Sequence, residues 1–409
     1  MIRVLFVEAS SGGVVGGSLT GLLHLIRGLD RTRFAPGMVL YEAKAIEKEL
    51  ADLGVPFFQV RRRRIPKEHA LLKFEGYQRA RKARSIRSLL RLGRQTIRLA
   101  VEEGPTALQL ARVIRQWKAD VVHLGNGVRA NFDGILACLQ TGTPCVCHVK
   151  GFEKYSQRER WAAQRVDAVV CMTEAVRVHC EQNGIRPRCM EVVYDALDEA
   201  AFQPKHTRAE VRRELGIAES APCVGVIGNI QEWKGQLVFA EAMATVARHV
   251  PGVRGLIVGG IHRAGAEYHE QLRKRLAELK LNDTILITGF RDDVADVINS
   301  LDVVAHTSVR AEPFGRVILE GMLLAKPVVA TAAGGVPELI QDGVTGLLTP
   351  PGDAAALAEA LVLLLRDQRR CQEIGSRAQS WARGRFSLAR HVDEMSRLYE
   401  SLIKGRLTA

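Results

Sequence analysis

The stretch CVGVIGNIQEWKGQ, residues 223–236, marks where an alternation of short apolar runs and amphipathic segments starts for the second time along the chain. The first series opens with IRVLFV, residues 2–7, followed by a glycine-rich loop and the amphipathic segment 18–29. Because most of the short runs are apolar on both faces, they indicate parallel strands covered by helices. The sequence therefore predicts an α/β fold with two doubly wound, Rossmann-like domains.

A polar stretch around Pro204 separates the two series and places the domain boundary near residue 200. We expect an N-terminal domain over residues 1–200, a C-terminal domain over 201–385, and a last helix over 386–409 that packs back toward the N-terminal domain. The predicted strands are residues 2–7, 36–41, 120–124, 144–149 and 167–172 in the first domain, and 223–228, 254–260, 284–289, 301–307, 326–331 and 345–349 in the second.

The composition is that of a globular protein, with 47% apolar and 25% charged residues in 409. No apolar run approaches the length of a membrane span, and the opening segment is too short for a signal peptide. We therefore expect a cytoplasmic protein. The eight cysteines contain no CxxC pair and predict buried, reduced thiols.

The net charge of +13 is concentrated in one segment, because residues 61–98 contain fourteen Lys or Arg and two Glu. This basic insertion, residues 61–100, lacks interleaved aromatics, so we expect no nucleic-acid partner. From residue 84 onward, apolar residues at helical spacing alternate with arginines: Ile86, Leu90, Gly93 and Ile97 against Arg87, Arg91, Arg94 and Arg98. Either the apolar stripe packs on the first domain and the arginines are solvated, or the basic residues rest on an anionic membrane surface.

Ligands of open α/β sheets bind beyond the carboxyl ends of the strands, so the loops there are the candidates for chemistry. The loop after the first strand contains Gly12, Gly13, Gly16 and Gly17 and suits either a tight turn or a phosphate. The loop after the strand at 223–228 leads to Lys234, at the expected start of a helix. A helix N-terminus disfavours a lysine unless an anion lies beside it; otherwise Lys234 is a solvated surface lysine.

The stretch EPFGRVILE, residues 312–320, places one carboxylate on each side of a turn. Pro313 keeps Glu312 extended, so the helix is expected to begin near Gly315 and to offer its first N–H groups to phosphate oxygens. Glu320 then suits a ribose diol. The alternative is a Glu favoured by the helix dipole together with an exposed helical Glu. Gly334 and Gly335 form another anion-friendly turn in the same domain.

Together these motifs resemble those of the GT-B glycosyltransferases of family 4, which are retaining nucleotide-sugar enzymes, and the resemblance extends over nearly the full chain. EPFGRVILEG resembles the E-x7-E motif, VIGNIQEWKGQ resembles the G-R-x-x-x-x-K-G motif, and VVYDALDEAAFQP resembles the interdomain stretch. The segment ATAAGGVPELIQDGVTGLLTPPGD resembles the one that follows the E-x7-E motif. The resemblance implies a GT-B fold of two Rossmann-like domains that face a cleft.

The resemblance also assigns roles to single residues. Glu312 would hydrogen-bond the donor hexose, Lys234 would neutralise the leaving diphosphate, and Glu320 would hold the ribose. The other implied donor-binding positions are Gly17 near the phosphates and acceptor, Phe290 and Arg291 around the base, Phe314 and Gly315 at the sugar, and Arg316 and Val317 at the diphosphate.

Two positions depart from the family pattern. Asn229 stands where an arginine often shares the diphosphate charge, so Lys234 would carry more of that charge. Lys150 stands where a histidine often follows a strand, and His148 lies two residues earlier. His148 and Lys150 are both catalytic candidates, although a histidine inside a strand can equally be a satisfied structural residue.

The function that the resemblance implies is retaining transfer of a hexosyl group from a UDP- or GDP-sugar to an acceptor hydroxyl, in bacterial envelope polysaccharide or lipopolysaccharide synthesis. The partners would be a nucleotide-sugar donor, a glycan or lipid-linked acceptor and an anionic membrane surface reached through residues 61–98, placing the protein peripherally on the inner face of the cytoplasmic membrane. No metal or other cofactor is expected, since the acidic stretch 291–296 suits a loop and helix start. The alternatives are a nucleotide-sugar epimerase on the same fold and a non-catalytic nucleotide-sugar-binding homologue.

Overall fold

The computed structural model describes residues 1–9, 17–42, 46–63, 90, 93–262 and 265–407. The chain forms two compact units. The first unit comprises Met1–Cys171, Arg177–Val193 and Val392–Ala409, and the second comprises Met172–Val176 and Tyr194–His391. Each unit contains its own parallel sheet, as the alternating pattern predicts.

The described part of the first unit holds a seven-stranded sheet in the order β3-β2-β1-β4-β5-β6-β7, and every neighbouring pair is parallel. The strands are β1 Ile2–Glu8, β2 Phe34–Leu40, β3 Phe57–Gln59, β4 Val121–Leu124, β5 Cys145–Val149, β6 Ala168–Cys171 and β7 Cys189–Val192. The helices are α1 Gly17–Gly28, α2 Glu47–Asp52, α3 Gly104–Trp117, α4 Gly127–Ala130, α5 Phe132–Thr141, α6 Gln157–Ala163 and α7 Glu174–Gln182, and a π-helical turn, Leu99–Glu103, precedes α3. The first turn of α7, up to Val176, is counted with the second unit.

The described part of the second unit holds a six-stranded parallel sheet in the order β10-β9-β8-β11-β12-β13. Its strands are β8 Cys223–Ile227, β9 Arg254–Val258, β10 Ile285–Gly289, β11 Val303–His306, β12 Val328–Thr331 and β13 Leu347–Thr349. Its helices are α8 Arg208–Glu214, α9 Gln236–His249, α10 Ala266–Glu278, α11 Val294–Ser300, α12 Arg316–Leu323, α13 Val336–Leu339, α14 Ala354–Arg366 and α15 Gln368–Arg385, followed by α16 Leu388–Leu407.

The inner strands of both sheets are buried on both faces, which explains why these strands are rich in apolar residues. Val4, Leu5 and Phe6 of β1 have no solvent-exposed surface. In the second unit, Phe239 of α9 and Leu361 of α14 belong to the apolar core formed with the sheet. In each sheet the strand order changes direction next to the first strand, so that β1 lies beside β4 and β8 lies beside β11. The loops that follow β8 and β11 therefore leave neighbouring strands.

The chain from Val392 onward, which is most of α16, belongs to the first unit. Tyr399 is fully buried there, and its hydroxyl lies 2.6 Å from Nδ1 of His123 on β4. Arg33 and Glu400 form an ion pair in the same unit. Burial of the Tyr399 ring and these polar contacts hold the last helix on the first sheet.

Most of the basic insertion lies outside the described residues, including Ile86, Arg87 and Arg91. Its described part does not show the expected apolar stripe packed on the first domain. Residues 93–98 are helical, but Ile97 is 55% exposed, so the apolar side does not pack into the core at this position. Arg98 contacts Glu103 at 2.9 Å, and Arg62 contacts the buried Asp133 at 3.1 Å. These two arginines therefore pair with carboxylates of the first unit.

None of the helices among the described residues is long and apolar enough to span a bilayer. All eight cysteines lie in described parts of the chain and are free thiols, as the sequence predicts. Six of them are buried, and Cys189 and Cys371 are partly exposed.

Candidate functional site

The N-terminus of α12 is built on a turn that requires glycine. Gly315 caps the helix with φ at 92°, in the left-handed region, and a Cβ there would lie 2.8 Å from Cδ1 of Ile318. Gly334 approaches the same turn so closely that its Cβ would lie 2.3 Å from the carbonyl oxygen of Glu312. The Gly335 N–H donates to that carbonyl at 2.8 Å. The two glycine-rich loops therefore hold each other in shape at the start of the helix.

Lys234 reaches this turn from a neighbouring loop. It ends a 3₁₀ turn, Glu232–Lys234, that follows β8, and its carbonyl accepts a hydrogen bond of 2.8 Å from the Thr307 hydroxyl. Its Nζ lies 2.6 Å from Oε2 of Glu312 and 4.0 Å from the centre of the Trp233 ring. Lys234 and Glu312 are 78 positions apart in the sequence. They meet beyond the carboxyl ends of β8 and β11 because these two strands are neighbours in the sheet.

Two further side chains converge on the same oxygen of Glu312. The Ser308 hydroxyl donates to Oε2 at 3.2 Å, and Nε2 of His306 lies 3.4 Å from it. The other ring nitrogen of His306 lies 3.4 Å from the Thr331 hydroxyl. Within the described residues, no hydrogen-bond donor of the chain reaches Oε1. All three side-chain contacts of this carboxylate among the described residues therefore go to Oε2.

Glu312 is an ionised carboxylate at neutral pH. Burial alone would raise its pKa, but the hydrogen bond from His306 and the charges of Lys234 and His306 outweigh burial and lower the pKa to about 2. The residue is 9% exposed. A buried, compensated carboxylate beside a lysine and a helix N-terminus can bind hydroxyl groups while the cations bind phosphate.

Glu320 lies one turn further along α12. Its side chain is only 15% exposed, and Arg316 is 3.9 Å away. Burial raises the pKa of Glu320 and outweighs the opposing effect of Arg316. The alternative of an exposed helical glutamate is therefore wrong. Phe314 is buried and Val317 is half-buried, and they flank the capping Gly315.

The loop after β10 contains the residues expected around the base. Phe290 is 77% exposed and its Cβ lies near Gly260, where a glycine Cβ would be 3.6 Å from it. Arg291 donates to Asp293 and to Glu214, both at 2.5 Å. The Arg291 guanidinium thus holds the loop in place, and Phe290 is the side chain that a base could contact.

Asn229 is exposed beside Gly228, and its main-chain carbonyl accepts a hydrogen bond of 3.1 Å from the side-chain amide of Gln236. Because asparagine carries no charge, Lys234 remains the cation that the sequence assigns to the diphosphate. Lys234 is also the residue that contacts Glu312.

The remaining candidates belong to the first unit. Gly17 is the first residue of α1, after the glycine-rich loop, which lies outside the described residues. His148 is fully buried in β5, with its ring centre 5.5 Å from that of His123. Lys150 follows β5 and is half-buried. Burial inside a sheet suits the structural interpretation of His148, and the catalytic roles of Lys150 and His148 stay predictions.

His306, Ser308 and Thr331 are site residues that the sequence interpretation missed. The sequence contains a signal for two of them, because the apolar strands β11 and β12 each end on a polar residue, His306 and Thr331. The two strands are neighbours in the sheet.

Two family models cover most of the chain. The model described as Glycosyltransferase Family 4 matches residues 15–201, and the model described as Glycosyl transferases group 1 matches residues 207–381. The chain belongs to the GT-B glycosyltransferases of family 4.

Several proteins are similar in sequence to this chain. The D-inositol 3-phosphate glycosyltransferase of Nocardia farcinica is 30% identical over 70% of this chain and 62% of its own length. The lipopolysaccharide core biosynthesis mannosyltransferase LpsB of Rhizobium meliloti is 25% identical over 62% of this chain and 72% of its own length. The alignment with the Nocardia protein, like that with the N-acetyl-alpha-D-glucosaminyl L-malate synthase of Bacillus anthracis, thus covers 62% of the relative.

The fold agrees with that of two solved structures. The crystal structure of Anabaena Alr3699/HepE in complex with UDP and glucose superposes with a TM-score of 0.78, at 25% identity, and covers 98% of this chain and 100% of its own. Sucrose-phosphate synthase from Thermosynechococcus elongatus, at 18% identity, shares the fold with a TM-score of 0.77.

Proposed function

We propose that this glycosyltransferase moves a hexosyl group from a UDP- or GDP-linked sugar to an acceptor hydroxyl with retention of anomeric configuration. The observation that supports the proposal most directly is the ion pair of Lys234 and Glu312 at the glycine-capped start of α12. It combines a cation, the first N–H groups of a helix, and a carboxylate oxygen, Oε1, that accepts no hydrogen bond from the described residues. A sugar diphosphate offers both the anion and the hydroxyl groups that such a set would bind.

Each group has a distinct role in the proposed step. When the glycosidic bond to the diphosphate breaks, negative charge grows on the leaving phosphate oxygens. Lys234 and the first N–H groups of α12 stabilise that charge electrostatically. Glu312 accepts a hydroxyl of the hexose through Oε1 and fixes the orientation of the anomeric carbon. Glu320 accepts hydrogen bonds from the ribose hydroxyls. No metal is required in this scheme, because Lys234 supplies the countercharge.

The acceptor belongs to the proposal as well. We infer a glycan or lipid-linked hydroxyl acceptor of the bacterial envelope, handled by the first unit through the region of Gly17 and Lys150. The similarity to a lipopolysaccharide core mannosyltransferase supports this class of acceptor. The basic insertion would bring the protein to the anionic cytoplasmic face of the membrane.

The first experiment measures binding. Thermal unfolding is recorded with UDP, GDP, ADP and their sugars, because a ligand that binds the native state raises the apparent Tm. We expect one of UDP or GDP to raise the Tm of the wild type. Lys234→Ala should reduce this shift, whereas the control Lys274→Ala, at an exposed position of α10, should keep it.

The second experiment measures chemistry. Radiolabelled sugar of the selected nucleotide is incubated with bacterial lipid and glycan extracts, and the product anomer is assigned by NMR. Transfer with retention supports the proposal. Release of free sugar or an epimer without an acceptor would indicate the epimerase, and tight nucleotide-sugar binding without any product would indicate a non-catalytic protein.

A further inference from the structure

The donor turn, residues 312–315, contacts a segment that is distant in the sequence, Met172–Val176. This segment directly follows β6 of the first unit, but it belongs to the second unit together with the donor turn. We propose that Thr173 and Glu338 are positioning residues for sugar transfer, which hold the backbone of the donor turn so that Oε1 of Glu312 meets the hexose. The contacts all lie within the second unit, and the catalytic consequence rests on the function proposed above.

Thr173 connects the donor turn to the start of α7. Its side chain is fully buried, and its hydroxyl donates to the main-chain carbonyl of Pro313 at 2.9 Å. The same oxygen accepts from the Val176 N–H at 3.3 Å, as a helix N-cap does. A hydroxyl has one proton to donate and two lone pairs, so both bonds form together. Thr173 therefore fixes the residue that directly follows Glu312.

Gly335 shows how closely the segments approach one another. Its N–H donates to the Glu312 carbonyl at 2.8 Å. A Cβ at this position would lie 2.4 Å from the Pro313 carbonyl oxygen and 2.6 Å from Cγ2 of Thr173. The start of α13, the donor turn and the Met172–Val176 segment therefore meet at a point where only a glycine fits.

Glu338 joins the remaining two segments. It lies one helical turn after Gly335, and its N–H donates to the Gly335 carbonyl at 3.0 Å. Its carboxylate accepts from the main-chain N–H groups of Glu174 at 2.7 Å and Ala175 at 2.8 Å, the two residues after Thr173. The hydrogen bonds form a cyclic network, which runs from the donor turn to α13, from α13 to the start of α7, and from Thr173 back to the donor turn.

A row of aromatic side chains also connects Glu338 with the donor turn. The Tyr194 hydroxyl donates to Oε2 of Glu338 at 2.9 Å. The Tyr194 ring packs edge-to-face on Phe386 with 5.3 Å between the ring centres, and Phe386 packs edge-to-face on Phe314 at 6.0 Å. Glu338 thus accepts three hydrogen bonds through its two carboxylate oxygens. A glutamine at this position would direct its NH2 group toward one of the three donors.

The position of the donor turn matters more for transfer than for nucleotide binding. In the proposed step, Glu312 orients the anomeric carbon, and a small displacement of an orienting group lowers the rate strongly. Glu320 and Phe290, the residues expected at the ribose and the base, are not part of the cyclic network. Loss of the network should therefore lower kcat and leave nucleotide affinity unchanged.

The first test compares two substitutions of Thr173, because valine keeps its shape without the hydroxyl and serine keeps the hydroxyl. We expect kcat to fall roughly tenfold in Thr173→Val and to stay within about twofold of the wild type in Thr173→Ser. The dissociation constant of the bound nucleotide, UDP or GDP, should stay within about twofold in both variants. The control Thr207→Val removes a similar helix cap at the exposed start of α8, where the hydroxyl accepts from the Glu210 N–H at 3.3 Å, and should match the wild type.

The second test measures the network without activity, by hydrogen exchange of peptides that cover residues 170–182 and 330–340. Glu338→Gln should increase exchange in the first peptide, where Glu338 accepts from two N–H groups. Thr173→Val removes no partner of the Gly335 N–H, so faster exchange of the second peptide in this variant would show that the change reaches the donor turn. The control Glu359→Gln, at an exposed position of α14, should exchange like the wild type.

A third measurement separates one shared role from two unrelated ones. Glu338→Gln should also lower kcat without weakening nucleotide binding. Because both residues act on the same turn, the double variant of Thr173→Val and Glu338→Gln should lose less in kcat than the product of the two single losses. Glu338→Gln also decides the question if Thr173→Val does not fold.

The outcomes distinguish this inference from the proposed function. If the wild type transfers sugar and both variants keep its kcat, or lose kcat and nucleotide affinity equally, the positioning role is overturned and the proposed function stands. Unchanged exchange of the second peptide in Thr173→Val also overturns it. If the wild type transfers no sugar, the proposed function fails together with the catalytic consequence, and hydrogen exchange still decides whether Thr173 and Glu338 hold the donor turn.

Discussion

Replacing Lys234 with Met removes the ammonium group from the candidate site and keeps most of the side-chain volume. Nζ lies 2.6 Å from Glu312, and the two side chains are 20% and 11% exposed, so the pair is largely shielded from solvent. Breaking a buried pair costs about 3–5 kcal/mol because one charge is left without its partner. Since Ser308 and His306 still reach Glu312, we expect the lower part of that range, about 3–4 kcal/mol.

The assay is a double-mutant cycle of Lys234→Met, Glu312→Gln and the double variant, followed by thermal unfolding and by hydrogen exchange of peptides from the second unit. A loss of 1 kcal/mol lowers Tm by about 2–4 °C in a domain of this size, so Lys234→Met should lower it by roughly 6–16 °C. The double variant should recover part of this loss, with a coupling energy of about 1–3 kcal/mol. Lys274→Met, on the exposed face of α10, serves as the control and should leave Tm unchanged.

Additive effects in this cycle would refute the reasoning, because they would show that Lys234 and Glu312 do not stabilise each other. The pH dependence gives a second check. The pKa of Glu312 is lowered from 4.5 to about 2, so its contribution to stability is present above pH 4.5 and is lost as the pH falls toward 2. The Tm difference between wild type and Glu312→Gln should therefore disappear over that interval.

Four further predictions concern other parts of the chain. Glu320→Gln should raise Tm at pH 7, because burial raises the pKa of this carboxyl and disfavours its charge, yet it should weaken nucleotide binding roughly tenfold in calorimetry. Gly315→Ala should cost about 1–2 kcal/mol through its positive φ alone, and unchanged unfolding relative to the control Gly384→Ala would contradict this. Arg62→Met should destabilise the protein more at pH 7.5 than at pH 5, because burial raises the pKa of its partner Asp133 to about 6 and the protonated acid needs the arginine less; Arg63→Met, at an exposed position, should change neither value. The protein should sediment with vesicles of anionic lipid but not with neutral vesicles, and the sedimented fraction should fall as the salt concentration rises. If equal amounts of protein remain in both supernatants at every salt concentration, an anionic membrane surface is not a partner.

The class and order of the fold could be predicted because the inner strands of both sheets are buried on both faces. Such strands contain short apolar runs, residues 4–7 in β1 and residues 223–227 in β8, and these runs stand out in a sequence. The edge strand β3, Phe57–Gln59, was not among the predicted strands. It has three residues with an exposed Phe57, so neither length nor alternation distinguishes it from a loop.

The site could be predicted as separate loops but not as a cluster. Lys234 and Glu312 were each assigned from the loop that follows a strand, and nothing in a linear pattern gives a 2.6 Å contact between them. That contact depends on β8 and β11 being neighbours in the sheet. The same limit applies to the basic insertion, where helical spacing predicted the helix at 93–98 but did not show that Arg98 pairs with Glu103.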